Sequence, residues 1–152
     1  MAQDQDFEIA DGILESYKGK DSQVVIPEGV TKIGEGAFYC CTSLASVTIP
    51  EGVTAIGSDA FKGCTSLASV TIPEGVKEIG ICAFERCTSL ASVTIPESVT
   101  KIGSDAFKGC TSLKEIHYAG TKAQWKAVEK GRGWKMDSAI TSIICSDGKV
   151  KA

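Results

Sequence analysis

The sequence predicts a repeat solenoid, mainly β with short helical turns, and two observations lead to this prediction. The first is a fixed period: the segment 41–63 returns at 64–86 and again at 87–109. A more divergent copy precedes it at 18–40, and a fifth begins at 110–113 before the pattern is lost. A constant period of 23 residues is typical of units that stack on one another and bury a continuous core.

The second observation is the alternation of residue types in the first half of each repeat. Leu44, Val47 and Ile49 follow the pattern LxxVxI and are expected to point inward from a short strand and its lead-in. Because side chains alternate along a strand, Ser46 and Thr48 are expected to face solvent. The Pro-Glu-Gly sequence that follows is typical of a type I turn.

The second half of the repeat is expected to return the chain to the start of the next unit. Residues 53–56 are interpreted as a second short extended segment. Ser58 or Asp59 could then cap one turn of helix at 60–62, which would place Phe61 in the core. Equivalent apolar residues recur at every copy and are expected to stack as ladders. These ladders are Ile26/Ile49/Ile72/Ile95, Val30/Val53/Val76/Val99, Ile33/Ile56/Ile79/Ile102 and Phe38/Phe61/Phe84/Phe107.

The whole chain, 1–152, is predicted to be a single domain with capped ends. Residues 1–23 are assigned to an N-terminal cap, a β-hairpin around Ala-Asp-Gly, and residues 24–113 to the repeats. Residues 114–152 are assigned to a helix–strand cap, with a capping box at 121–124, a helix to about Lys130 and a final strand at 139–145. Caps are needed because a terminal repeat otherwise exposes its apolar face and an unpaired strand edge.

Charge and hydropathy exclude several classes of function. The net charge is −3 and the Lys and Arg residues form no run, so we expect no nucleic-acid partner. No apolar stretch approaches the roughly 18 residues that would indicate a membrane span, so no membrane insertion is expected. The acidic N-terminal segment lacks the apolar core of a signal peptide.

The seven cysteines are interpreted as packing residues rather than as a disulfide framework. Four of them occupy one repeat position and are expected to form an inward-facing column: Cys41, Cys64, Cys87 and Cys110. Cys40 and Cys82 interrupt the consensus at two different repeat positions, so pairing between them is not expected. The sequence has no CxxC pair and no Cys/His cluster with zinc spacing, and we predict no metal site.

No catalytic constellation is apparent in the sequence. His117 is the only histidine, and its repeat position corresponds to the outward Thr48, so it is expected on a strand surface. The chain has no nucleophile elbow, no Asp-His-Ser order, no phosphate loop and no dinucleotide-binding fingerprint. We therefore predict a protein that is not an enzyme and that uses no cofactor.

The repeat motif LxxVxIPxxVxxIGxxAFxxCxxL closely resembles the BspA-like leucine-rich repeat, and residues 117–131 resemble the C-terminal cap of such arrays. The resemblance covers essentially the whole chain. It implies a right-handed leucine-rich solenoid that is usually a piece of a bacterial secreted or cell-surface protein. It also implies an adhesin-like, non-catalytic interaction module whose partner is a protein or glycan, with host extracellular matrix among the candidates.

The exposed strand face is the expected binding surface of such a solenoid. The candidate binding residues on it are Ser46, Thr48, Ser69, Thr71, Ser92, Thr94, Glu115 and His117. These columns lack the aromatic and Arg anchors that dominate most protein interfaces, so passive repetition of good strand formers remains an alternative. Binding determinants could instead lie where the repeat is interrupted, at Tyr39, Ile81, Arg86 or the His117 end.

Three further alternatives follow from the regularity of the repeats. The copies at 41–63 and 87–109 differ at two positions only, Gly52/Ser98 and Ala55/Lys101, which also fits a structural spacer or a consensus-like scaffold without a ligand. The threonine array loosely resembles an ice-binding face, although only three repeats match. The acidic turn column is either simply solvated or attracts a cation or a basic partner. Its members are Glu28, Glu51, Glu74 and Glu97.

Overall fold

The computed structural model describes residues 4–152, in which the chain winds through about six turns and alternates between two sheets. Sheet A contains, in spatial order, β1 (Phe7–Ala10), β2 (Ile13–Tyr17), β4 (Lys32–Ile33), β6 (Ala55–Ile56), β8 (Glu78–Ile79), β10 (Lys101–Ile102) and β12 (Glu129–Lys130). Sheet B runs from β3 (Gln23–Val25) through β5 (Ser46–Thr48), β7 (Ser69–Thr71), β9 (Ser92–Ile95), β11 (Glu115–Tyr118) and β13 (Ser142–Cys145) to β14 (Gly148–Lys151). The predicted mainly β solenoid is thus confirmed.

The core consists of the inward residues that the repeat predicts. Leu44, Val47 and Ile49 are buried, as are their equivalents in the following turns. Phe38, Phe61, Phe84 and Phe107 stack face to face with ring centroids 5.0, 5.2 and 5.3 Å apart. This spacing is close to the distance between neighbouring strands, because each ring is carried by one turn of the solenoid.

The turns after the sheet A strands form a third side of the solenoid. Residues 58–63 form successive hydrogen-bonded turns and not the expected turn of helix. The Phe61 amide donates to the carbonyl of Ala83 in the next turn at 2.7 Å, and the Phe38 amide donates to Ala60 in the same way. Since these amides bond between turns, they cannot close an α-helical turn within one.

Two positions on this third side adopt a left-handed backbone in every copy. Asp59, Cys82 and Asp105 share one of them with φ of 57 to 58°, and Cys40 and Arg86 share the other, at 55 and 62°, with Gly63 and Gly109. A left-handed conformation costs a residue other than glycine of order 1 kcal/mol. The interruptions at Cys40 and Cys82 therefore leave the backbone path unchanged, and their amides still donate to Lys62 and Ser104 in the next turn.

The N-terminal hairpin covers the first edge of sheet A. β1 pairs antiparallel with β2 through a turn in which Asp11 and Gly12 both have positive φ, and β2 pairs in parallel with β4. In the described part of the chain, β3 is the outermost strand of sheet B. Residues 1–3 of the predicted cap lie outside the described residues, and the boundaries at 23 and 113 stay predictions.

The C-terminal helix α1 (Lys122–Ala127) has the predicted capping box. The Gln124 amide donates to Thr121 Oγ1 at 3.1 Å, and the Thr121 amide donates to Gln124 Oε1 at 2.8 Å. α1 ends three residues before Lys130, because residues 129 and 130 pair with β10 as the next strand of sheet A. β13 corresponds to the predicted final strand, and β14 follows it as an additional antiparallel strand that was not predicted.

Two tryptophans close the core at this end. Trp134 packs edge-on against Phe107 at 6.3 Å and against Trp125 at 5.8 Å, so it terminates the phenylalanine column.

Within residues 4–152, no helix is long and apolar enough to cross a membrane.

All seven cysteines are free thiols. Cys64, Cys87 and Cys110 are fully buried, and each thiol donates to a phenylalanine carbonyl of the preceding turn at 3.1 Å. Cys41, the first member of this column, is half-buried. Burial raises the pKa of Cys64 and of Cys110 to about 12, so these thiols are protonated at neutral pH.

Candidate binding face

The structure places the eight predicted binding residues on the outward side of sheet B, which we call the serine–threonine face. Strand register aligns them in two columns, with Ser69 opposite Ser46 and Ser92, and Thr94 opposite Thr71 and His117. Thr48, Thr71 and His117 are exposed, whereas Ser46, Thr94 and Glu115 are half-buried. The face therefore extends across β5, β7, β9 and β11.

A shallow groove of about 270 Å³ interrupts this face between β5 and β7. β7 and β9 are in register at three residue pairs, but β5 and β7 at one, Ser46 with Ser69. Val47 and Ile49 are consequently 9% and 7% exposed, whereas their equivalents on β9 are at 0%. The groove combines hydroxyl-bearing walls with a small apolar floor, so it can form hydrogen bonds and limited apolar contacts.

Sequence reasoning missed two apolar residues at the ends of this face. Val25 lies opposite Thr48 at the N-terminal end and is 67% exposed. Ile144 lies opposite His117 on the other side of β11 and is half-buried. Val25 had a usable signal, because it precedes Thr48 by one period of 23 residues. These residues border the polar columns with apolar surface.

The other candidate positions lie elsewhere on the solenoid. Tyr39, Ile81 and Arg86 are exposed, but they belong to the turns that follow β4 and β8. Ile81 lines a groove of about 460 Å³ along sheet A, together with Ser58 and Ser104. The four glutamates of the acidic turn column are all exposed. The structure thus does not bring Tyr39, Ile81 or Arg86 onto the serine–threonine face.

One side-chain cluster on the third side contains groups that can bind metals. The ligand atoms of Cys82, Glu85 and Asp105 lie within 4.8 Å of one another. Glu85 is buried, however, and Lys62 Nζ lies 3.5 Å from its carboxylate. Burial, together with Glu85, raises the pKa of Cys82 to about 11, which keeps this thiol protonated at neutral pH. The ammonium group of Lys62 already balances the charge of Glu85, and we assign no metal to the cluster.

Comparison with known proteins agrees with this geometry. The sequence model of the family described as BspA type leucine-rich repeat region matches residues 12–127 as six copies. Among solved structures, a T. pallidum leucine-rich repeat protein is 26% identical, with a TM-score of 0.63, over 87% of this chain and 81% of its own. No curated protein matches the sequence.

Two further solved structures are of longer proteins, of which this chain matches only a part. A leucine-rich cell surface protein from Faecalibacterium prausnitzii is 33% identical over 77% of this chain, with a TM-score of 0.56. A leucine-rich repeat protein from Bacteroides ovatus is 36% identical over 73%, with a TM-score of 0.62. The matches span 38% and 30% of those two proteins. The repeat motif, the stacked turns and the matched family model together establish that the chain belongs to the BspA-type leucine-rich repeat family.

Proposed function

We propose that this protein is a non-catalytic interaction module of the bacterial cell surface or of a secreted protein. In this proposal it acts as an adhesin-like unit that binds a protein or glycan, with components of the host extracellular matrix as the first candidates. Its membership of the BspA-type family supports the interaction role, and the F. prausnitzii relative is itself described as a cell surface protein. The site of binding in this proposal is the serine–threonine face.

The observation that carries the proposal is the alignment of hydroxyl groups across three neighbouring strands, β5, β7 and β9. A partner lying across β5, β7, β9 and β11 meets a serine or threonine on three successive turns and then Glu115 and His117. Hydrogen bonds to such groups give modest individual energies, of order 1 kcal/mol each. Affinity in this arrangement comes from repetition along an extended partner, and multivalent attachment strengthens it further.

The test uses two exposed residues on β7 and a matched pair outside the sheet. Ser69→Arg/Thr71→Arg places two bulky cations beside the groove, and Thr65→Arg/Ser66→Arg places the same side chains in the exposed turn of the same repeat. Binding of each chain to immobilised fibronectin, laminin, collagen and mucin is measured by biolayer interferometry. Circular dichroism checks that both variants are folded.

We expect the wild-type chain to bind at least one of these surfaces and the β7 variant to bind about tenfold more weakly, a loss of about 1.4 kcal/mol. The turn variant should match the wild type. An equal loss in both variants would remove the serine–threonine face from the proposal. Absence of binding to all four surfaces would favour the alternative of a spacer or scaffold without its own ligand.

A further inference from the structure

Charge is separated between the two ends of the solenoid. Residues 1–23 contain six Asp and Glu against two Lys, a net charge of −4. Residues 114–152 contain eight Lys and Arg against four Asp and Glu, a net charge of +4. The basic residues form no run in the sequence, but the fold gathers them at one end. The two ends are several strand spacings of about 4.8 Å apart. This distance exceeds the Debye length of about 8 Å at physiological salt, so the opposite charges at the two ends hardly interact within one molecule.

The basic end carries a defined pocket of about 440 Å³ between α1 and β14. Trp125 and Val150 contribute apolar surface, and Lys122, Lys126 and Lys151 are exposed around it. Lys130 also lines the pocket, but it is held in place: its Nζ donates to the carbonyls of residues 125 and 128 at 2.8 and 2.9 Å and lies 4.5 Å from the indole centroid. The pocket therefore offers three available ammonium groups around an apolar centre.

The acidic end offers the complementary groups. Asp11 and Glu15 are exposed on the N-terminal hairpin, and Ile9 and Val25 expose apolar surface at the same end. Glu8 is less available, because Lys18 Nζ lies 2.6 Å from its carboxylate. The carboxylates are complementary in charge to the lysines around the α1–β14 pocket, and the exposed apolar side chains are complementary to its apolar centre.

The strand edges fit the same contact. In the described part of the chain, sheet B ends in β3 on the acidic side and in β14 on the basic side, while sheet A ends in β1 and β12. β1 and β14 are antiparallel to the other strands of their sheets. A second copy stacked end to end would continue both sheets, each through one antiparallel pair, β14 with β3 and β12 with β1. Unpaired edges are ready sites for such additions.

We propose that the acidic N-terminal end of one molecule binds the basic C-terminal end of another, so that the partner of the α1–β14 pocket is a second copy of this chain. The contact joins two different surfaces, so it is heterologous and builds open chains rather than closed dimers. This inference does not depend on the serine–threonine face. Because the attraction is between exposed charges, the association weakens as salt rises.

The test is sedimentation velocity of the full chain over a range of protein concentrations, at about 20 mM and about 500 mM NaCl, where the Debye lengths are roughly 20 Å and 4 Å. The C-terminal variant is Lys122→Glu/Lys126→Glu and the N-terminal variant is Asp11→Lys/Glu15→Lys. The matched control is Lys32→Glu/Lys77→Glu, which reverses two exposed lysines within the repeats.

We expect concentration-dependent association of the wild type and the control at low salt, with loss at high salt. Each end variant alone should sediment as a monomer, because its substitutions bring the net charge of the changed end to zero and so remove the attraction between the ends. An equimolar mixture of the two end variants should associate again, since the unchanged acidic end of the C-terminal variant can bind the unchanged basic end of the N-terminal variant. Circular dichroism verifies that each variant is folded.

Three outcomes would overturn the proposal. The first is a wild-type chain that remains monomeric at low salt up to the highest soluble concentration. The second is a mixture of the end variants that stays monomeric although both are folded. The third is retention of the wild type on immobilised heparin that the C-terminal variant loses, without self-association, which would assign the pocket to an anionic glycan instead.

Discussion

At the scale of single residues, the phenylalanine column shows how one repeat position is used. Each ring is fully buried and lies nearly parallel to the next, with interplanar angles of 2 to 5°. An inner ring such as that of Phe84 has an aromatic neighbour on both sides, so its removal affects the turns before and after it. The column therefore couples the stability of each turn to that of its neighbours.

Replacement of Phe84 by alanine should lower the free energy of unfolding by about 3–5 kcal/mol, the usual range for a phenylalanine removed from a core. Urea denaturation followed by circular dichroism measures this change. Tyr39→Ala provides the control. Tyr39 is also aromatic and is next to Phe38 in the sequence, but its side chain lies outside the column and is 55% exposed. A Phe84→Ala variant within about 1 kcal/mol of the wild type would contradict the assigned role of the column.

The buried thiols predict a loss of stability at alkaline pH. Burial raises the pKa of Cys64 from its ordinary value of 9.0 to about 12, so its contribution is complete below about pH 9 and is lost as the pH rises toward 12. Between about pH 8 and about pH 10.5, one such thiol should lower the free energy of unfolding by about 1–2 kcal/mol. Urea denaturation at both pH values measures the decrease.

The Cys64→Ala variant separates this effect from other alkaline titrations. Its free energy of unfolding should decrease less than that of the wild type over the same pH interval, because alanine has no proton to lose. Equal decreases in both proteins would show that ionisation of this thiol does not contribute.

At the scale of elements, α1 depends on its first turn because it is only six residues long. Thr121 satisfies one free amide of that turn and Gln124 returns the contact, while Trp125 of the same helix covers the core. A short helix has little intrinsic stability, so its cap and its packing together hold it in place.

Thr121→Ala should lower the free energy of unfolding by about 0.5–2 kcal/mol, the typical effect of losing such a cap. The measurement is thermal and urea denaturation. Thr111→Ala, at an exposed turn of the last repeat, is the matched control and should have almost no effect. If both substitutions had the same effect, the capping contacts would not be important for this end of the solenoid.

At the scale of the whole molecule, the repeats should be removable as complete units. Deleting 41–63 joins Cys40 to Cys64 and keeps every later residue at its repeat position. The shorter chain should fold with the same circular dichroism per residue, and its urea m-value should decrease by about 15%, in proportion to length. Deleting 41–52 removes about half a repeat and should prevent folding, because the inward set would then shift out of alignment. A fully folded product of the second deletion would contradict the stacking model.

The repeat pattern was sufficient to predict the inward residues, because periodicity reports directly which side chains must avoid water. It also placed Ser46, Thr48 and their equivalents on one outward face, since strand alternation is a local property. The end of α1 could not be predicted in this way. Residues 129 and 130 continue a plausible helical sequence, but they pair with β10 instead. The amides of Glu129 and Gly131 donate to the carbonyls of Thr100 and Ile102, and only the position of β10 makes these bonds available.

The sequence by itself determined the period, the core columns and the capping box, which depend on local pattern and on burial repeated at fixed spacing. The tertiary structure alone decided the left-handed backbone positions on the third side, the added strand β14 and the groove between β5 and β7. It also decided the separation of charge between the two ends of the solenoid. The physical reason is that these features depend on contacts between turns. They involve residues about one period or more apart, or at opposite ends of the chain, whose proximity or separation exists only once the turns are stacked.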